Sequence, residues 1–155
     1  MKTTIKSLFI VILLIMTTSL SAQMLSPVNW SFSVNKITKV ESELVFTATI
    51  DKGWHLYSQD IPEGGPIPTA FNIEKGMGFF ADGKVVEPQA TEVFDKQFNM
   101  KVKYFSEKVE FRQKVKVMSA KPVEVKGMVE FMCCDDEKCL PPAEVPFSFT
   151  LPASK

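Results

Sequence analysis

The fold class of this 155-residue chain is decided by the stretch Leu44-Val45-Phe46-Thr47-Ala48-Thr49-Ile50. Its even-numbered side chains are all apolar, whereas two of the three odd-numbered ones are threonine. Because successive strand residues point to opposite faces of a sheet, this period of two predicts a β-strand with one face in the core. The turn signal Asp51-Lys52-Gly53 follows it directly and separates it from a second short strand, Trp54-His55-Leu56-Tyr57.

Four further segments repeat this alternation of apolar and polar side chains. Their apolar positions are Trp30, Phe32 and Val34; Val109, Phe111, Val115 and Val117, interrupted by Gln113; Val123, Val125, Val129 and Phe131; and Val145, Phe147, Phe149 and Leu151. No long apolar stripe of helical period is present. The pattern predicts an all-β chain with antiparallel sheets on one core, an immunoglobulin-like β-sandwich first and a barrel second.

Two segments do not follow this pattern. The stretch Ile61–Thr69 is rich in proline and glycine, and we expect an ordered surface loop there. The stretch Phe94–Met100 places apolar side chains in a polar environment without strand periodicity, which is typical of a mobile loop with an apolar tip.

The first 22 residues have the plan of a secretory signal peptide. Lys2 and Lys6 precede the apolar run Leu8–Met16, and small residues ending in Ala22 follow it. The run is shorter than the roughly 20 residues that span a bilayer, so a retained anchor is the weaker alternative. We expect cleavage after Ala22 (or after Ser21), one domain at 23–155, no membrane insertion after cleavage, and a periplasmic location.

Charge and size exclude some functions. Removal of residues 1–22 takes away two of the 18 basic residues and none of the 18 acidic ones, so the mature net charge is −2. No basic patch interleaved with aromatic residues is present, and nucleic-acid binding is therefore not expected. A mature chain of this size can bury a core without disulfide bonds.

All three cysteines, Cys133, Cys134 and Cys139, lie within seven positions. Cys133 continues the odd parity of Val123–Phe131, so Cys133 and Cys134 face opposite sides. If the flanking segments form a hairpin, opposed residues lie within disulfide range, and we predict a Cys133–Cys139 bond with Cys134 reduced. From the residues alone, an inert hairpin disulfide, a redox-active pair and a metal site all stay open. A zinc site is disfavoured, because no second cysteine pair is present and His55 is distant in sequence.

Several motifs along the chain resemble the N-terminal periplasmic domain of the thiol:disulfide interchange protein DsbD. They are the stretch Lys52–Ser58, the loop Gly64-Gly65-Pro66, the segment Phe94–Tyr104, and the ending Cys-x5-Cys-x-Pro-Pro from Cys133 to Pro142 before a last strand. The resemblance spans the whole predicted mature region, and the cysteine ending is its most specific part.

The resemblance implies an immunoglobulin-like domain that relays reducing equivalents by thiol–disulfide exchange. The electrons would come from a membrane-embedded thiol reductase and pass to thioredoxin-like periplasmic proteins, as one component of a protein-disulfide reductase system. Cytochrome c biogenesis is a process that such a system serves. No cofactor or metal is implied. Because no membrane or thioredoxin-like region follows Lys155, we expect a free-standing version whose donor is another polypeptide.

The resemblance also implies roles for individual residues. Carried over by position, Cys133 and Cys139 match the reactive pair, with Cys139 forming the mixed disulfide. Asp95–Asn99 matches a cap loop, with Phe98 as its lid and Gln97 as the alternative tip. The active-site neighbours are His55, Tyr57, Asp95, Phe98 and Cys134. Cys134 has no counterpart in the simplest family pattern, so a vicinal or shuffled disulfide stays open.

Two other functions also remain open at this stage. One is an immunoglobulin-like binding module whose disulfide is only structural, and the other is a protein that binds metal through its cysteine cluster.

Overall fold

A computed structural model describes residues 25–154, which form eleven β-strands and no helix. The strands are β1 (Val28–Lys36), β2 (Glu41–Ile50), β3 (His55–Tyr57), β4 (Ala70–Ile73), β5 (Phe79–Val86), β6 (Thr91–Asp95), β7 (Met100–Phe105), β8 (Lys108–Val117), β9 (Val123–Phe131), β10 (Cys133–Cys134) and β11 (Ala143–Leu151). Within this range no helix could span a membrane. The predicted signal peptide, residues 1–22, lies outside the described residues.

The strands form three sheets in which every pairing is antiparallel. The first sheet has the order β1-β2-β8-β5, the second β11-β9-β4, and the third β10-β3-β7-β6. Apolar side chains of the first two sheets share one buried cluster between them. The predicted immunoglobulin-like β-sandwich is therefore confirmed. The sheets stay open, so the barrel alternative is wrong.

The core of the sandwich is aromatic and is centred on Phe46 of β2. Its buried ring lies with its centroid 4.6 Å from that of Phe71 and 5.0 Å from those of Phe147 and Phe149. Each of the five alternating segments in the sequence forms a strand of the first two sheets, with the predicted apolar parity directed inward. Burial of these rings is the main contribution to the stability of the fold.

Two residues that point toward the core from their strands, Gly127 and Gln113, have no apolar side chain. Gly127 lies where β9 is crowded: a Cβ there would be 2.2 Å from the Asn72 carbonyl oxygen and 2.4 Å from Cζ of Phe147. The buried amide of Gln113 donates hydrogen bonds to the carbonyl oxygens of Asp82 (3.1 Å) and Lys114 (2.8 Å). It is therefore satisfied in the core, beside the register shift that follows Asp82 in β5.

For the two segments outside the alternating pattern, the structure agrees with one prediction and differs from the other. Ile61–Thr69 contains no strand, as predicted, although Thr69 at its end is buried and donates a 2.5 Å hydrogen bond to the Tyr57 carbonyl. Phe94–Met100 is not an irregular loop, because it contains the end of β6, a four-residue turn and the start of β7. The turn interrupts the alternation, and this is why the sequence pattern hid the hairpin.

The site is positioned by the passage of the chain from β9 to β10. After Met132 the chain leaves the second sheet, and Cys133 and Cys134 pair with Leu56 and His55 of β3 in the third sheet. Adjacent residues face opposite sides. Cys133 therefore joins Leu56 in the main core, whereas Cys134 lies in a separate cluster with Tyr57 and Val102.

Candidate active site

The structure contains a disulfide between Cys134 and Cys139, whose Cα atoms are 4.0 Å apart. These two residues also form an antiparallel bridge that closes a four-residue loop. The predicted Cys133–Cys139 bond, with Cys134 reduced, is therefore wrong. Cys133 points to the same side as Phe131 and faces the core. The hairpin register is therefore shifted by one residue from the predicted one, so that Cys134 and not Cys133 lies opposite Cys139.

The two bonded cysteines differ in their access to solvent. Cys134 is fully buried, whereas Cys139 is partly exposed. The loop between them is shaped by Asp135, whose Oδ1 accepts hydrogen bonds from the main-chain N–H groups of Glu137 (2.9 Å) and Lys138 (2.8 Å). These two bonds lower the pKa of Asp135. Of the two bonded cysteines, only Cys139 therefore has surface open to solvent.

Tyr57 connects the buried sulfur with a carboxylate. Its hydroxyl donates a 2.7 Å hydrogen bond to Oδ2 of Asp95 and lies 3.1 Å from Sγ of Cys134. Burial raises the pKa of Tyr57 strongly, and the hydrogen bond to Asp95 raises it further. The phenol therefore stays protonated and can act as a hydrogen-bond donor beside the sulfur of Cys134.

His55 flanks the same hydroxyl from β3. Its Nε2 lies 3.4 Å from the Tyr57 oxygen, and its ring packs on Tyr104 with a centroid separation of 4.6 Å. Burial lowers the pKa of His55, and this outweighs the opposite effects of Asp95, Asp136 and Asp135. The imidazole is therefore neutral at pH 7.

The turn between β6 and β7 covers the disulfide. Oδ1 of Asp95 accepts hydrogen bonds from the main-chain N–H groups of Gln97 (2.8 Å) and Phe98 (3.3 Å) and so fixes the turn. The Phe98 ring packs edge-on against Tyr57, with centroids 6.0 Å apart. The residue in direct contact with Cys139 is Gln97, whose Oε1 lies 3.2 Å from Sγ.

The expected lid is therefore corrected in two respects. Phe98 does join the small cluster that contains Cys134 and Cys139, but it cannot cover a Cys133–Cys139 bond, because that bond is absent. The alternative tip, Gln97, is the side chain that reaches the exposed sulfur.

Cys133 is excluded from this arrangement. Its thiol is buried among apolar side chains, and burial raises its pKa to about 11. Among residues 25–154 no three His, Cys, Asp or Glu side chains are grouped so that they could hold a metal ion. The metal-binding alternative required three convergent thiolates, and Cys133 faces away from the other two.

The structure brings together six of the seven residues that the sequence suggested. They are His55, Tyr57, Asp95, Phe98, Cys134 and Cys139. Sequence reasoning missed Tyr104 as the support of His55 and Asp135 as the residue that shapes the cysteine loop. An Asp followed by two or three polar residues between bonded cysteines is a turn signal that could have identified Asp135.

The fold matches solved structures at low sequence identity. The N-terminal domain of DsbD from Neisseria meningitidis in the reduced form has a TM-score of 0.58 and 14% identity over 87% of this chain and 96% of that one. The N-terminal periplasmic domain of ScsB from Proteus mirabilis has a TM-score of 0.59 and 12% identity over 86% of this chain and 49% of that one.

A third match is the complex between the DsbD N-terminal and PilB N-terminal domains of Neisseria meningitidis. It has a TM-score of 0.54 and 13% identity over 86% of this chain and 95% of that one. A search of curated proteins found no significant match. The family model "Thiol:disulfide interchange protein DsbD, N-terminal" matches residues 21–151. The chain therefore belongs to the family of DsbD N-terminal domains.

Proposed function

We propose that this protein relays reducing equivalents by thiol–disulfide exchange through Cys134 and Cys139. The observation that carries the proposal is the asymmetry of the disulfide: Cys139 is partly exposed, and Cys134 is fully buried with its sulfur against the Tyr57 hydroxyl. Membership of the DsbD N-terminal family supports the same chemistry. Exchange proceeds by thiolate attack on a disulfide sulfur, so one sulfur of the pair must be reachable.

Delivery of electrons begins with both cysteines reduced. The Cys139 thiolate attacks one sulfur of the partner's disulfide, a mixed disulfide forms, and the partner's other sulfur leaves as a thiolate. The Cys134 thiolate then attacks Cys139 Sγ, the Cys134–Cys139 bond forms, and the partner's second sulfur leaves as a thiolate. The partner gains two electrons, and this protein loses two.

Reduction of the Cys134–Cys139 disulfide by the electron donor uses the same atoms in the reverse direction. A thiolate of the donor attacks Cys139 Sγ and expels Cys134 as a thiolate. The Tyr57 hydroxyl lies 3.1 Å from that sulfur, and its single proton, which Asp95 accepts in the disulfide form, can turn to the Cys134 thiolate as it forms. Such a bond stabilises the leaving group, since hydrogen bonds to charged groups are about twice as strong as neutral ones.

The proposal extends to partners and location. We assign residues 1–22 as an export signal and residues 23–155 as the relay domain, acting in the periplasm between a membrane-embedded thiol reductase and thioredoxin-like recipients. The description of the Proteus mirabilis relative as a periplasmic domain supports the compartment. The complex of the Neisseria domain with a PilB domain supports a protein as the recipient.

The test is to trap the mixed disulfide. In Cys134→Ser the resolving sulfur is absent, so Cys139 should accumulate in stable adducts with thioredoxin-like proteins of the same periplasm, which reducing agent would release. Cys133→Ala is the matched control, because its thiol faces the core, and it should relay normally without trapping. Adducts that form through Cys133 instead, or no adducts in Cys134→Ser, would contradict the proposal.

A structural disulfide in a binding module is the competing interpretation, and the reduction potential separates the two. Structural bridges are typically below about −300 mV, whereas catalytic ones are more oxidising. We expect the Cys134–Cys139 pair to equilibrate with glutathione buffers. A pair that stays oxidised across that whole range would favour the binding module.

A further inference from the structure

Three loops meet at the end of the sandwich that lies away from the disulfide. They are residues 37–40 between β1 and β2, 74–78 between β4 and β5, and 118–122 between β8 and β9. Main-chain hydrogen bonds hold them side by side. The N–H of Val117 donates to the Val40 carbonyl (2.7 Å), and the N–H of Met118 donates to the Gly78 carbonyl (2.8 Å). We call this surface the loop tip.

The loop tip exposes four large apolar side chains to solvent. Met77 is 94% exposed and Met118 is 64% exposed, and Ile37 and Val40 are each half-exposed. Single exposed apolar residues are common on soluble proteins, but these four stand on three adjacent loops. Grouped apolar side chains at a surface with a polar rim are typical of an interaction site.

The same three loops are basic. Each of them carries one lysine: Lys39, Lys75 and Lys121. Their only acidic residue is Glu74, so three lysines against one glutamate give the loop tip a net charge of +2. Lys36 and Glu41 flank the first loop and offset each other. None of the three lysines forms an ion pair among residues 25–154, so their charges are free to meet an anionic partner.

We propose that the loop tip docks peripherally on a bilayer that contains anionic phospholipid. The apolar side chains enter the headgroup region, and the three lysines pair with phosphate groups around them. The occupant follows from the charge, because a lysine on every loop matches a surface that is anionic throughout. Binding of this kind combines buried apolar area with attraction to anionic lipid and requires no membrane-spanning segment.

Docking at the loop tip also determines which end of the molecule faces water. The ten-residue strand β2 begins at the loop tip with Glu41 and ends at Ile50, which lines the same surface depression as Asp136 of the cysteine loop. At about 3.3 Å per residue, the strand holds the disulfide end about 30 Å from the lipid. The acidic run Asp135-Asp136-Glu137 favours the same orientation, since an anionic surface repels it. The inference goes beyond the proposed relay and does not depend on the exchange chemistry.

The test is co-sedimentation of residues 23–155 with lipid vesicles. Removal of the predicted signal peptide excludes binding through its apolar run, and the remaining chain contains the whole described sandwich. Vesicles of equal parts phosphatidylglycerol and phosphatidylcholine are compared with vesicles of phosphatidylcholine alone. Because each lysine near an anionic surface strengthens binding about fivefold, we expect about a hundredfold tighter binding to the anionic vesicles. Added salt should weaken it. Equal or absent binding to the two kinds of vesicle would overturn the proposal.

Two triple variants of equal net charge locate the binding surface. One removes the lysines of the loop tip: Lys39→Gln, Lys75→Gln and Lys121→Gln. The control removes three exposed lysines near the disulfide: Lys52→Gln, Lys96→Gln and Lys138→Gln. The first variant should lose about a hundredfold in binding to anionic vesicles, and the control should bind nearly as tightly as the parent protein. Equal losses in both would show attraction without a defined surface and contradict the proposal.

A further pair of variants tests the apolar side chains. Met77→Ser combined with Met118→Ser should weaken binding about tenfold, because less apolar area enters the headgroup region. Val86→Ser, at an exposed position at the other end of β5, is the matched control and should leave binding unchanged. If the double variant instead abolishes self-association in sedimentation velocity, and the parent protein ignores vesicles, the loop tip is an interface between copies and the lipid proposal is wrong.

The orientation is tested by reduction of the Cys134–Cys139 disulfide with dithiothreitol, a small uncharged reagent. The rate should be the same for vesicle-bound and free protein, since the docked molecule directs its disulfide into water. A strong decrease on vesicles would place the disulfide against the lipid and contradict docking through the loop tip. These measurements use only vesicles and a small reductant, so their failure is distinguishable from failure of the trapping test for the relay.

Discussion

The two buried clusters of this molecule differ in what holds them together. The larger cluster, between the first two sheets, consists of apolar side chains around Phe46 and Phe111. The smaller cluster lies in the third sheet and contains a fully buried tyrosine, Tyr57, whose hydroxyl has polar neighbours on two sides. The first cluster is stabilised by area removed from water, and the second depends on hydrogen bonds that must be complete.

Cys133 and Cys134 show how sharply the two clusters are divided. They are adjacent in the chain, yet one belongs to the apolar core and the other to the polar site. The pleat of a two-residue strand is sufficient to separate a free thiol in the apolar core from a disulfide-bonded cysteine in the polar site. Substitutions in the larger cluster should therefore change stability, and substitutions in the smaller one should mainly change chemistry.

The largest effect should follow from a cavity in the apolar core. Phe46→Ala removes a fully buried ring that packs against four other aromatic rings, so we expect the free energy of unfolding to fall by about 3–5 kcal/mol. Urea denaturation measures this loss, and Met77→Ala, at a position 94% exposed, is the control. The exchange rate of the molecules that remain folded should not change. A loss below 1 kcal/mol would mean that the core is not organised around Phe46.

An intermediate effect on stability, with a clear effect on chemistry, is expected for Tyr57→Phe. The ring still fills its site, but Asp95 and Cys134 lose the hydroxyl, and we expect a loss of about 1–2 kcal/mol. Attack of a small thiol on the disulfide should slow by about tenfold, because the leaving Cys134 thiolate loses its hydrogen-bond donor. Stopped-flow reduction measures the rate.

Tyr104→Phe is the matched control for this experiment. The Tyr104 hydroxyl makes no hydrogen bond among the described residues, and its ring packing on His55 is kept. If both variants slow the reaction equally, the effect comes from the aromatic surroundings and not from the Tyr57 hydroxyl.

The smallest effect concerns pH. Burial lowers the pKa of His55 in the folded state, so between its folded pKa and the unfolded value of about 6.5 the unfolded chain binds more protons. The stability that this residue contributes is complete above pH 6.5 and is lost as the pH falls through the folded pKa. We expect His55→Gln to lose less stability than the parent protein when the pH is lowered from 7.5 to 5.5. A steeper decline in His55→Gln would reverse the sign and contradict this account.

The sequence was sufficient for the sandwich but not for its edges. The five alternating segments are buried on one face, so hydrophobic periodicity identified them. β5 could not be predicted, because most of its residues are exposed and a register shift follows Asp82. Its sequence therefore shows no alternation of apolar and polar residues. β6 and β7 could not be predicted either, because the turn at residues 96–99 lies inside the segment that looked irregular.

For the site, sequence reasoning identified the neighbourhood but not the pairing of the sulfurs. His55, Tyr57 and Asp95 were named from the family resemblance, and the structure brings them together. The parity of Cys133 with Phe131 was visible in the sequence and already implied that Cys133 faces the core. The hairpin register that joins Cys134 to Cys139 was not visible, because it depends on the break at Met132 between β9 and β10.

The burial of Cys133 has a consequence for the fidelity of the disulfide. Three cysteines allow three different pairings, and a third thiol beside a reactive pair could capture one of its sulfurs during each cycle of exchange. Burial raises the pKa of Cys133 from an ordinary value of 9.0 to about 11, so at pH 7 its thiolate is roughly a hundredfold rarer than that of an unburied cysteine. Its apolar surroundings also separate it from Cys139. In the proposed relay, the core would thus keep the third thiol out of exchange, and the Cys134–Cys139 bond would not isomerise between turnovers.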